Sequence, residues 1–133
     1  MERRSIAWAS GSLMLAVGFG AFGAHGLKAL VPPDALAQWH TAVEYQFYHG
    51  LGLLLVGGLG ERLAPKAHRG IRALFMVGSL LFCGSIYFLS TRELSGLDGA
   101  TAWVGPLTPV GGLMFLLGWA VLLITVLRGT DPR

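Results

Sequence analysis

The side chains able to do chemistry in this chain collect in one stretch. It runs from Pro32 to His49 and carries His40, Thr41, Glu44, Tyr45, Gln46, Tyr48 and His49. At helical spacing His40, Glu44 and Tyr48 stack on one stripe, and Thr41, Tyr45 and His49 on the next. Gln46 points away from both, toward another helix. His25 lies upstream, at the end of an apolar run, and joins the same end of the molecule. Three chemistries suit these residue types. An ionisable carboxylate held between imidazoles can relay protons or pass a cation. His40 and Glu44 have metal-ligand spacing, with His25 or His49 completing the set. The same groups can also serve as hydrogen-bonding glue between helices. No Ser–His–Asp or Cys–His pattern accompanies them. The single cysteine, Cys83, sits in an apolar run, so it reads as packing and excludes an intramolecular disulfide. No catalytic residue and no cofactor is predicted.

The elements that position this cluster are read from hydropathy. The chain has 133 residues, 53% of them hydrophobic and 13% charged, too few charges to clothe a small soluble domain. Mean hydropathy is +0.61. Apolar stretches predict helices at about 5–24, 33–60, 73–90 and 109–127, each near the ~20 residues that cross a hydrocarbon core. The first follows Arg3 and Arg4, but its run exceeds a signal-peptide core, so an uncleaved helix is expected. The second begins at Pro33, with Asp34 in its first turn, and continues without a break into the membrane. Thr108 suits the cap of the fourth and Pro109 its first turn.

The fold class is therefore all-α, an integral membrane four-helix bundle forming a single domain. Its orientation follows from charge. Arg3, Arg4, Arg62, Lys66, Arg69, Arg72, Arg128 and Arg133 fall on one side, and only Lys28 and Arg92 on the other. The basic side is cytoplasmic, which puts both termini inside. The same clustering argues against a nucleic-acid partner. Trp39 and Trp103 near the outer ends, and Trp8 near the inner end, suit interfacial anchors. Ser12, Ala16, Gly20 and Ala24 recur every fourth residue and offer a smooth face for helix packing. The expected partners are the lipid bilayer and either a second copy or a larger membrane complex.

Gly20-Ala21-Phe22-Gly23-Ala24-His25-Gly26-Leu27, with Trp39, Thr41-Ala42-Val43, Tyr45-Gln46 and His49, resembles the YgdD-like family. That family is a domain of unknown function (423) of small bacterial inner-membrane proteins with eukaryotic transmembrane relatives. Gly84-Ser85-Ile86-Tyr87, Thr108-Pro109-Val110-Gly111-Gly112 and Gly118-Trp119 resemble its later motifs. The resemblance spans nearly the whole chain. It implies a multi-pass four-helix protein of the bacterial cytoplasmic membrane and no particular activity. Three functions remain open on the sequence: an accessory, scaffolding or lipid-binding protein; a small oligomeric channel or transporter with a polar path near Glu44; and a metalloprotein using the outer histidines.

Overall fold

The computed structural model describes residues 2–129. Four long helices dominate: α1 (Arg3–Ala24), α2 (Pro33–Leu59), α3 (Pro65–Ser90) and α4 (Leu107–Leu127). Short helical turns fill the connections, the longest of which runs from α3 to α4 through Arg92–Ser95, Asp98–Ala100 and Thr101–Val104.

The ends of these helices have local causes. Glu2 caps α1, its carboxylate accepting from the backbone N–H of Arg4 and Ser5. Pro33 occupies the first turn of α2, where its missing N–H costs nothing. Gly60 ends α2 at φ 47°, a conformation that disfavours any residue with a Cβ. Leu63 and Ala64 are extended, and Pro65 starts α3. α3 thus begins eight residues before the expected 73. Its first two turns carry Lys66, His68, Arg69 and Arg72 and are polar, so an apolar-run criterion passes over them. The cap expected at Thr108 does not form. α4 starts at Leu107 with Pro106 before it, and the Thr108 hydroxyl lies 2.6 Å from Ser85 Oγ instead. A hydroxyl engaged across a helix contact is not available to its own helix end.

The long helices pack in chain order: α1 on α2, α2 on α3, α3 on α4. No comparable backbone packing joins α1 to α4. Small residues set the close approaches. Gly78 of α3 faces Gly111 of α4 so tightly that a Cβ on Gly78 would stand 3.2 Å from the Gly111 carbonyl oxygen. On α1, Ala16 is fully buried and Gly20 lies against Val43, whereas Ala24, the last of that small-residue stripe, is exposed. The main core joins Ala9, Ala42, Leu53, Val56, Phe75 and Phe115. A second cluster, nearer the α1–α2 connection, holds Leu27, Trp39 and Val43.

Three helical segments among the described residues are long and apolar enough to cross a membrane: Arg3–Ala29, Pro65–Ser90 and Asp98–Leu127. α2 is 27 residues long but is not among them. Glu44, Gln46 and His49 fall inside its apolar run and lower its hydropathy.

Candidate functional site: the polar face and polar core of α2

The residues of the polar stretch divide between two environments. Gln46 and His49 are buried. Gln46 Nε2 donates to the Ser12 carbonyl on α1 at 2.9 Å, and its Oε1 accepts from the Tyr87 hydroxyl on α3 at 2.6 Å. One amide thereby ties three helices together. His49 Nδ1 lies 2.8 Å from the Tyr45 carbonyl, and Trp119 Nε1 lies 3.1 Å from His49 Nε2. A carbonyl only accepts and an indole N–H only donates. The imidazole is therefore neutral, with its proton on Nδ1, and both nitrogens are satisfied. Its ring stacks on Phe115 at a centroid separation of 3.4 Å. This is the chemistry of a joint between helices.

His40, Thr41, Glu44, Tyr45 and Tyr48 are exposed. Their depth follows from contacts on either side of Glu44. Trp39 Nε1 donates to the Phe19 carbonyl at 2.8 Å, and Gln46 reaches Ser12. Glu44 therefore sits beside the part of α1 between Ser12 and Phe19. Phe19 is five residues inside the end of α1, about 7–8 Å at 1.5 Å per residue. An exposed carboxylate thus stands well inside the length of the neighbouring apolar helix. His40 lies one turn toward the α1–α2 connection and Tyr48 one turn the other way. Tyr45 packs on Phe82 at 4.6 Å and meets Tyr48 edge-on at 5.8 Å.

His25 is exposed and follows the end of α1, where its backbone N–H closes the last turn onto Ala21 and Phe22. Among the described residues no three His, Cys, Asp or Glu side chains converge in a way that could hold a metal ion. Trp39 departs from its expected role as an interfacial anchor. It is buried, packed edge-on against Phe19 and Phe22, and its N–H is spent on α1. Gly23 makes this possible, because a Cβ there would lie 2.7 Å from the Trp39 ring. Trp8 and Trp103 are exposed.

The sequence offered no signal for two further features. One is an apolar cleft of about 650 Å³ between α1 and α3, lined by Trp8, Ser12, Leu15, Phe75, Leu80 and Gly84 among others. Gly11 and Gly84 have open space where a side chain would be. The other is the Glu2 knot at the opposite end from His40. The Glu2 carboxylate also accepts from Ser5 Oγ at 2.6 Å and Arg72 Nη1 at 2.9 Å. The Ser5 hydroxyl does most to hold the Glu2 carboxyl below its ordinary 4.5, at about 2, helped by the Ser5 amide and the Arg72 guanidinium.

Long apolar helices with small-residue contacts and a polar group joining helices define a membrane protein. Comparison with known proteins gives the family. The pattern described as "Protein of unknown function (DUF423)" matches residues 19–112. The UPF0382 membrane protein YwdK of Bacillus subtilis is 39% identical over 116 residues, covering 86% of this chain and 89% of its own length. A UPF0382 membrane protein of Staphylococcus epidermidis is 40% identical over 115 residues, covering 86% and 88% respectively. One from Staphylococcus aureus is 36% identical over the same length. The chain belongs to the DUF423 family of membrane proteins, a family of unknown function. No solved structure matches it.

Proposed function

We propose that this protein is an accessory, scaffolding component of a bacterial cytoplasmic membrane. Its four long helices cross the bilayer with both termini and the α2–α3 connection on the cytoplasmic side, and α2 docks another membrane helix through His40, Glu44 and Tyr48. Support for the orientation comes from the Lys and Arg asymmetry of the connections. The observation that carries the docking role is the exposure of Glu44 at a depth where apolar helix lies beside it. Lipid tails cannot solvate a carboxylate, and such groups in membrane helices face protein or water. Donors flank it one turn away on each side, in His40 and Tyr48. A second copy related by a two-fold axis along the membrane normal would bring the same stripe to the same depth. Glu44 of each copy then meets donors of the other. The α1–α3 cleft gives lipid tails a place in such an assembly.

The two other readings draw less support. A channel needs Glu44 on a common polar path with Gln46 and His49, but those two face inward and are hydrogen-bonded within the protein while Glu44 faces outward. A metal site needs converging ligands.

The test is cross-linking of the full-length protein in native membranes. The wild type is expected as an assembly larger than one chain, and Glu44→Ala combined with Tyr48→Ala as the single chain. A wild type that cross-links to nothing, or a double variant assembled like wild type, would sink the reading.

A further inference from the structure

A cavity of about 680 Å³ lies where α1 begins, α2 ends and α3 begins, lined by Arg4, Glu61, Leu63, His68, Arg69 and Arg72 among others. It is far along the molecule from the His40–Glu44–Tyr48 face and shares no residue with it. His68 is 5% exposed, and its Nε2 has no hydrogen-bond partner among the described residues. A buried imidazole nitrogen without a partner is a standing cost to the fold and calls for one.

Its surroundings indicate which kind. His68 is in the first turn of α3, a 26-residue helix with no side-chain cap. The N–H groups at such a start have no intrahelical acceptor, and the helix dipole adds partial positive charge there. Arg72 is paired with Glu2, and no other salt bridge forms among the described residues. That leaves Arg4 and Arg69, both exposed at the cavity, against the single carboxylate of Glu61. A ligand suited to this place is compact, anionic and rich in acceptor oxygens. We infer that the cavity binds a phosphate group, which accepts from His68 Nε2–H and is held by Arg69 and Arg4 at the start of α3. The phosphate is that of an anionic lipid headgroup or a free inorganic ion. The site lies at the basic end of the membrane helices, within reach of headgroups.

The experiment uses the full-length protein in mild detergent, titrated separately with short-chain phosphatidylglycerol, short-chain phosphatidylcholine and inorganic phosphate. Binding is read by calorimetry and by the shift in thermal midpoint. Phosphatidylglycerol bound more tightly than the other two assigns a lipid. Inorganic phosphate bound at least as well assigns the free ion. Combined Arg4→Gln and Arg69→Gln should weaken either by about ten-fold or more, since two basic contacts are lost. Glu44→Gln should leave the affinity unchanged, which separates this site from the docking face. His68→Leu should abolish binding yet raise the midpoint of the ligand-free protein, because the unpartnered nitrogen is gone. If His68→Leu does not fold, the arginine pair decides. No saturable binding of any probe, or equal binding by the arginine double variant, overturns the inference.

Discussion

Gln46 and His49 part from Glu44 and Tyr48 by the side of α2 on which they fall. All four are polar, lie within five positions of one another, and sit in the same run of apolar sequence. The inward pair meets complementary groups on three other helices: the Ser12 carbonyl, the Tyr87 hydroxyl and the Trp119 indole. The outward pair meets none of those. Polar side chains within an apolar helical run are thus two kinds of object. Satisfied, they join helices at modest gain. Exposed, they are an unmet demand on whatever lies alongside.

The contrast can be broken from the inside first. His49→Ala removes a ring stacked on Phe115, leaves a cavity beside Phe75 and strands the Trp119 N–H. A loss of about 3 kcal/mol is expected in reversible unfolding from detergent micelles. A loss under about 0.5 kcal/mol would mean the joint is not structural. Gln46→Leu keeps the volume and removes both interhelical bonds, so the expected loss is smaller, about 1 kcal/mol. The Tyr87 hydroxyl, left without its acceptor, should carry most of it. Outward substitutions should behave differently. Glu44→Gln should change the unfolding free energy of the single chain by no more than about 0.5 kcal/mol, as exposed positions do. Its effect should appear in cross-linked assembly instead. Equal destabilisation by Glu44→Gln and Gln46→Leu would erase the distinction.

The smallest effect is at the aqueous end. Because the Glu2 carboxyl is held down at about 2 in place of 4.5, its contribution to folding is fully present above 4.5. It is lost as pH falls through about 2. The thermal midpoints of wild type and Glu2→Gln should therefore keep a constant gap from neutral pH down to 4.5 and converge below it. A gap unchanged at pH 3 would show that the Ser5 and Arg72 contacts do not favour the ionised form.

Much of the candidate site was legible in α2's spacing. The four-residue interval puts His40, Glu44 and Tyr48 on one stripe and sends Gln46 to another face. Periodicity fixes angles about a helix axis, however, and says nothing of what waits at each angle. His49 shared a stripe with Tyr45, and only packing shows it closed off by Trp119 and Phe115. Trp39 looked like an anchor because tryptophans near helix ends often are, and Gly23 on another helix is what admits it to the core. His68 stands in a basic stretch with no apolar run to mark it as buried. Its burial depends on α3 extending back to Pro65 through residues too polar for an apolar-run criterion.

The sequence by itself determined the class of this protein. Long runs with few charges cannot fold in water with a polar shell, and in hydrocarbon their backbones must close as helices. Prolines and Gly60 marked helix ends through purely local constraints on φ and on the missing N–H. The tertiary structure alone decided which polar groups are spent and which are free. Satisfaction is a property of pairs, and the partners of Gln46, His49 and Glu2 stand 34, 70 and 70 residues away in the chain. Which stripes meet is chosen by the glycines and small side chains that let two helices approach, and that choice leaves Glu44 facing outward and His68 Nε2 buried without a partner among the described residues.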